Sequence, residues 1–84
     1  MLRRYNGLIT FDSTHQALRM ESILDTKNID FDIRPIPPSI SAGCGLAIEF
    51  YLTELEMIQE VMHSHEIVYH SLYEKLDKAY QVLE

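Results

Sequence analysis

Hydrophobic and polar residues along this chain change their spacing repeatedly, and each change predicts a different structural element. The apolar cluster within residues 5–11 is typical of a β-strand. Beyond it the apolar positions take helical spacing. They are Ala17, Met20 and Leu24, with Ile23 beside them. Ser13 stands three residues before Gln16, which is the spacing of a capping box, so we predict a helix that begins here and ends near Thr26.

The middle of the chain predicts two further strands separated by a turn. Residues 31–34 alternate apolar and polar side chains, the pattern of a half-buried strand. The prolines at the end of this segment limit the ladder that it can form, so we expect it at a sheet edge. These prolines are Pro35, Pro37 and Pro38. Residues 46–50 alternate in the same way and predict a third strand.

The last third of the chain predicts a helix, a strand and a second, shorter helix. Thr53 and Glu56 have the spacing of another capping box, which predicts the start of a helix there. The apolar face of this helix contains Leu55, Ile58, Val61 and Met62. Residues 66–73 return to strand composition, and residues 74–84 predict a short C-terminal helix. Its apolar positions are Leu76, Ala79, Tyr80 and Leu83.

The order of these elements predicts an α+β fold. Strand, helix, strand, strand, helix, strand is the βαββαβ pattern of ferredoxin-like sandwiches, in which a four-stranded antiparallel sheet carries two helices on one face. In that topology the first strand lies between the third and the fourth, and the second strand lies at an edge. We therefore predict one domain over residues 1–84, with a ferredoxin-like core at 5–73 and a helical extension at 74–84.

Composition narrows the range of functions. The 84 residues are 46% hydrophobic and 24% charged, as in ordinary globular proteins, and the net charge is −6. The basic residues are scattered, which argues against nucleic-acid binding. We find no apolar run long enough for a membrane span and no secretory signal. A single cysteine excludes an internal disulfide, and we interpret the protein as cytoplasmic. A small core would gain stability from self-association, so a homodimer is possible.

The strongest candidate for chemistry is Cys44, which lies between Gly43 and Gly45. The predicted topology brings the turn that contains this cysteine close to the start of the first helix. A helix N-terminus offers unpaired N–H groups and a positive dipole end, which favour a thiolate over a thiol. The two glycines would leave the sulfur open to a bulky partner.

The residues around that helix start complete the predicted site. Ser13 and Thr14 would contribute N–H and hydroxyl groups, and Ser41 a further hydroxyl, as substrate or anion contacts together with Gly43 and Gly45. His15, if protonated, would add positive charge and act as a modulator of the thiolate.

Other interpretations of these residues stay open. A cysteine in a glycine turn can be a small, inert packing residue. His63 and His65 are typical of a solvated surface rather than of a metal site, and we predict no metal and no cofactor. The tyrosines, among them Tyr51 and Tyr69, suit core or dimer packing better than stacking on nucleobases.

Three segments together resemble the family of selenium/sulfur carrier-like domains. They are residues 10–18, residues 33–38 and residues 39–47, and the Ser-Thr-His start and the Gly-Cys-Gly-Leu-Ala turn are their specific parts. The resemblance covers residues 5–73 and implies a ferredoxin-like α/β fold with Cys44 as the position that carries the chalcogen.

The leading hypothesis is a sulfur or selenium carrier that holds a persulfide or perselenide on Cys44. Such a protein works between a donor enzyme and an acceptor protein, as an accessory protein rather than a turnover enzyme. The alternative is a non-catalytic interaction module, or one that binds a small ligand, in which Cys44 is structural.

Overall fold

The computed structural model describes residues 4–40 and 43–84. In chain order the elements are β1 (Gly7–Thr10), α1 (Thr14–Thr26), β2 (Phe31–Pro35), β3 (Leu46–Phe50), α2 (Leu55–Ser64), β4 (Ser71–Leu76) and β5 (Ala79–Val82). A single 3₁₀ turn, Leu52–Glu54, leads into α2. The strands form one five-stranded sheet in the order β2-β3-β1-β4-β5, and every neighbouring pair is antiparallel.

The main core lies between the two helices and one face of the sheet. Alternation along each strand sends every second side chain to this face. Its fully buried members are Ile9, Phe11, Ala17, Met20, Leu24, Ile48, Phe50, Ile58 and Leu72. Because both helices contribute to the same cluster, they pack on the same face of the sheet, as predicted.

The opposite face of the sheet, called here the open face, carries a second and smaller apolar cluster. Leu8, Ala47 and Tyr73 are buried there, and Ile40 and Tyr80 pack over them. The ring of Tyr80 meets that of Tyr73 edge-on, with 6.3 Å between the ring centres. The segment that follows β2 therefore reaches across the open face before the chain enters β3.

The strand order agrees with the prediction for the first four strands, but the prediction of four strands is wrong. The segment 74–84, predicted as a helix, instead completes β4 and forms β5. Leu76 and Ala79 pair across a two-residue turn in which Asp77 takes a φ of 57°. Aspartate adopts this left-handed conformation more readily than most residues, so Asp77-Lys78 favours a hairpin.

One of the two predicted capping boxes provides a helix cap. Ser13 is the N-cap of α1, and its Oγ accepts a hydrogen bond from the N–H of Gln16 at 3.4 Å. The second prediction is wrong, because Thr53 lies inside the 3₁₀ turn and Glu54 precedes α2 without a side-chain cap. At the other end of α1, Asn28 has a φ of 57° and ends the helix as its left-handed terminal residue.

The side chain of Gln16 does not complete the capping box. Its Oε1 accepts a hydrogen bond from the N–H of Val68 at 3.1 Å. Arg19 binds the carbonyl oxygen of His65 at 3.0 Å in the same region. Both contacts fasten the first turns of α1 to the segment between α2 and β4. Among the helices of residues 4–40 and 43–84, none is long and apolar enough to cross a membrane.

Candidate functional site

Backbone hydrogen bonds join the turn that contains Cys44 to neighbouring segments on both of its sides. The N–H of Cys44 donates to the carbonyl oxygen of Phe11 at 3.3 Å, and the N–H of Ile36 donates to the carbonyl oxygen of Gly45 at 2.8 Å. Gly45 has a φ of 81°, a conformation in which glycine has no steric penalty. The turn therefore lies between the end of β2 and the segment that leads from β1 into α1.

Cys44 is half-buried and packs against the main core. Its Sγ lies 3.7 Å from the carbonyl oxygen of Leu46, to which the S–H donates. Only the neutral thiol can make this bond, because a thiolate has no proton to donate. The packing and the bond together hold the sulfur in one orientation beside the start of β3.

Gly43 brings the turn against the residue that precedes α1. A Cβ built on Gly43 would lie 3.2 Å from Oδ1 of Asp12 and 3.3 Å from its Cα. Asp12 directly precedes the N-cap Ser13. A negative charge that develops on the turn therefore meets the positive end of α1 and the Asp12 carboxylate, which act in opposite directions.

The predicted contact residues occupy the N-cap and the first turn of α1. Ser13, Thr14 and His15 are all exposed there. Within residues 4–40 and 43–84, no hydrogen bond or ion pair joins His15 to Cys44, so its role as a modulator stays a prediction. Ser41 was also predicted to contribute, and it lies outside the described residues.

The comparison with protein families decides where this chain belongs. A family model described as "Putative Se/S carrier protein-like" matches residues 6–74. The chain is a member of this family. The match contains Cys44 together with both glycines of its turn.

One relative of the Se/S carrier-like chain is an uncharacterized protein of Methanocaldococcus jannaschii. The two are 43% identical over 61 residues, which cover 73% of this chain and 30% of that protein. The chain thus corresponds to about a third of the length of the relative. No solved structure matches the Se/S carrier-like chain significantly.

The histidines of this Se/S carrier-like chain lie apart from any metal-binding arrangement. His63 lies in the last turn of α2 and His65 directly follows that helix, and both are exposed. In the part of the chain that the structure describes, no group of three or more histidine, cysteine, aspartate or glutamate side chains could hold a metal ion. His70, which directly precedes β4, hydrogen-bonds through Nδ1 to Ser71 Oγ at 3.0 Å.

A polar cleft on the open face was missed by the sequence analysis. It has a volume of about 880 Å³ and lies at the end of the sheet opposite Cys44. Charged side chains of both signs line it, including Arg4, Asp32, Arg34, Glu49 and Lys75. The alternation of β2 and β3 marks Asp32, Arg34 and Glu49 as outward-facing positions, but only the strand register brings them together.

A hydrogen bond between Tyr69 and Glu84 joins the two ends of the β4–β5 region of the Se/S carrier-like chain. The hydroxyl of Tyr69 donates to Oε1 of Glu84 at 2.6 Å, and Gln59 on α2 donates to Oε2 at 3.4 Å. The bond to the Glu84 carboxylate, aided by partial burial, raises the pKa of Tyr69 from its usual 10.0 to about 12.

The raised pKa of Tyr69 gives a pH dependence with a definite sign. Since the folded pKa lies above the unfolded one, the stabilising contribution is fully present below pH 10 and is lost as the pH rises through about 12. We expect Glu84→Gln to return the Tyr69 midpoint toward 10, as read from NMR shifts of ring-labelled tyrosine. A midpoint that the substitution leaves unchanged would contradict the assigned cause.

Proposed function

We propose that this chain carries sulfur or selenium as a persulfide or perselenide on Cys44, between a donor enzyme and an acceptor protein. The observation that carries the proposal is the position of Cys44. It is the only cysteine of the chain, it lies inside the family match, and its thiol lies in a turn flanked by the exposed Gly43 and Gly45.

The proposed loading step is an exchange between thiol and persulfide. The Cys44 thiolate attacks the terminal sulfur of a donor persulfide, a new S–S bond forms on Cys44, and the S–S bond of the donor breaks. The donor thiolate leaves and takes up the proton that Cys44 released, so there is no net oxidation. A perselenide would load in the same way through an S–Se bond, and transfer to the acceptor repeats the exchange.

The proposal gives each predicted neighbour of Cys44 a role in this step. The S–H bond to the Leu46 carbonyl must break when the thiol ionises. The N-terminal end of α1, with Ser13 and Thr14, favours the negative charge that results. His15 is close in sequence to these residues and exposed, so it would modulate the charge when a partner approaches. Ser41 would add a hydroxyl contact.

Mass spectrometry tests the proposal directly. We expect incubation with a cysteine desulfurase and cysteine to add about 32 Da to the chain, on Cys44, in a form that dithiothreitol removes. Cys44→Ser should lose the adduct completely. Ser22→Ala, at an exposed position of α1 outside the predicted site, is a matched control, because it retains both the thiol and its predicted contacts.

The result that would overturn the proposal is the absence of any adduct while an established carrier is loaded under the same conditions. To separate this result from misfolding, the circular dichroism spectrum and melting temperature of the chain are recorded in the same samples. A folded chain that takes up no sulfur is not a carrier of the proposed kind.

A second candidate function is a non-catalytic interaction or small-ligand-binding module in which Cys44 is structural. The contact of the thiol with the main core and its bond to Leu46 favour this interpretation. It predicts that Cys44→Ser lowers the melting temperature but leaves binding to partner proteins intact. The carrier function predicts instead that Cys44→Ser abolishes both the sulfur adduct and sulfur transfer to an acceptor.

We also infer the wider setting of a carrier. The strands β1 to β4 and both helices fit a ferredoxin-like unit, which β5 extends at one edge of the sheet. We treat residues 1–84 as one domain. A free thiol that accepts sulfur works best in a reducing compartment, which supports a cytoplasmic location.

A further inference from the structure

The strand β2 lies at an edge of the sheet, and its hydrogen-bond pattern shows which of its backbone groups face outward. Among residues 4–40 and 43–84 it pairs on one side only, with β3. The N–H of Ile36 donates to Gly45, so alternation along the antiparallel ladder turns the backbone groups of Asp32 and Arg34 toward β3. The backbone groups of Phe31, Ile33 and Pro35 therefore point away from the sheet, where they can pair with another strand.

Two acidic side chains oppose each other where β2 meets β3. Asp32 pairs with Glu49, and both project to the open face. Like charges directly opposite each other destabilise a sheet. Arg34 offsets part of this charge, with its guanidinium 3.5 Å from the Glu49 carboxylate. Glu49 has only 16% of its side chain exposed, whereas Arg34 has 59%. The edge thus carries an acidic pair with a basic residue beside it.

We propose that a second copy of this chain pairs antiparallel with β2, about a two-fold axis at Ile33. In this register Ile33 faces Ile33 of the partner subunit. Asp32 faces Arg34 of the partner subunit, and Arg34 faces Asp32 of the partner subunit. The acidic pair of each copy gains an arginine from the other, which offsets the like-charge opposition within the chain.

The hydrogen bonds of the edge fit the same register. Ile33 and its symmetry mate exchange both N–H···O bonds, and the N–H of Phe31 donates to the carbonyl of Pro35 in the partner subunit. Proline lacks an N–H, but here it is needed only as an acceptor. Phe31 and Ile33 are half-buried in one copy, and the second copy would cover their exposed parts.

Charge also disfavours the neighbouring registers. An axis at Asp32 would place Asp32 against Asp32 of the partner subunit, and an axis at Arg34 would place Arg34 against Arg34 of the partner subunit. Either arrangement sets like charges directly opposite each other. The other sheet edge, β5, carries no charged residue between Ala79 and Val82, so it has no charge pattern that would select one register.

Two charge reversals test the pairing in opposite directions. Asp32→Lys places Lys against Arg34 of the partner subunit, and Arg34→Glu places Glu against Asp32 of the partner subunit. We expect analytical ultracentrifugation over a concentration series to give twice the 9.8 kDa chain mass for the unchanged chain and the single mass for either variant alone. A mixture of the two variants should regain the double mass, because both cross-strand pairs then join opposite charges.

The folded state of the variants is checked separately. Asp32→Lys places Lys opposite Glu49 within its own chain, so at a concentration too low for association of either chain its melting temperature should equal or exceed that of the unchanged chain. Glu60→Lys, on the exposed side of α2, makes the same charge change away from the edge and should leave the double mass unchanged.

Several outcomes would overturn the proposal. They are a single mass for the unchanged chain at all concentrations, a double mass that persists in both single variants, and a mixture that stays at the single mass. A double mass that Val82→Lys abolishes and Asp32→Lys leaves intact would place the contact at β5 instead.

Discussion

Replacing Gly7 with alanine is expected to destabilise the fold by about 1–3 kcal/mol, because the added methyl group overpacks the core. A Cβ at this position would lie 2.5 Å from Cζ of Phe50 and 2.8 Å from two further ring atoms. Gly7 and Phe50 are cross-strand partners in β1 and β3, so the ring lies over the glycine. Phe50 is fully buried and cannot swing away into solvent.

A double-mutant cycle with Phe50→Leu measures this contact. The leucine side chain lacks the outer ring atoms that the new methyl group would meet. We expect the double variant Gly7→Ala/Phe50→Leu to be more stable than the sum of the two single destabilisations predicts. The difference in the free energy of unfolding should be about 0.5–3 kcal/mol. Urea denaturation of all four chains gives the cycle. Additive effects would contradict the claim that the ring of Phe50 is why position 7 needs glycine.

Replacing Gly45 with alanine is expected to destabilise the fold by about 1–2 kcal/mol, for a different reason. A Cβ on Gly45 would meet no atom within 4 Å, so space is not limiting. The constraint is the backbone φ of 81°, which residues other than glycine rarely adopt. Gly45→Asn should cost less, because asparagine tolerates left-handed conformations better than alanine does.

Gly43 is the matched comparison on the other side of Cys44. At Gly43 the contact with Asp12, rather than the backbone conformation, disfavours a larger residue. Asp12→Gly removes the Oδ1 contact at 3.2 Å but leaves the contacts with Cα and the carbonyl oxygen at 3.3 Å, so Gly43→Ala should be relieved in part, whereas Gly45→Ala should show no such relief. Thermal unfolding of these variants separates the two causes. Equal relief of both glycine substitutions by Asp12→Gly would contradict the assignment.

Elements specified by local residues were predictable from the sequence. The helix α1 combines a periodic apolar face with a serine cap, and its end at Thr26 agrees with the prediction. The edge position of β2 was predictable from Pro35. Proline has no N–H, and the backbone nitrogen of Pro35 faces away from β3. Both features depend on residues that are close together in the chain.

Elements specified by distant contacts were not predictable in the same way. Leu76, Ala79, Tyr80 and Leu83 have a spacing that suits a helix. The structure instead pairs these residues in a hairpin, and the N–H groups of Leu83 and Glu84 both donate to the carbonyl of Leu72. The segment of β5 can form these hydrogen bonds only when β4 is already extended beside it, and this contact is not visible in the local spacing.

The candidate site shows the same division. The sequence marks Cys44 as a candidate through its two glycines, and the topology predicts that its turn lies near α1. The direction of the thiol depends on the packing of Cys44 against the core and on the carbonyl of Leu46, neither of which has a sequence signature. The opposition of Asp32 and Glu49 depends on strand register, which a pattern of alternation does not define.

The position of β1 in the sheet has a consequence for synthesis of the chain. β1 is synthesised before the strands that pair with it and occupies the centre of the sheet, between β3 and β4. Its partner β4 begins only at Ser71, so one side of β1 stays without its native hydrogen-bonding partners until β4 has emerged. A nascent chain that stalls before that residue exposes an unpaired apolar strand to other chains, which is a route to aggregation.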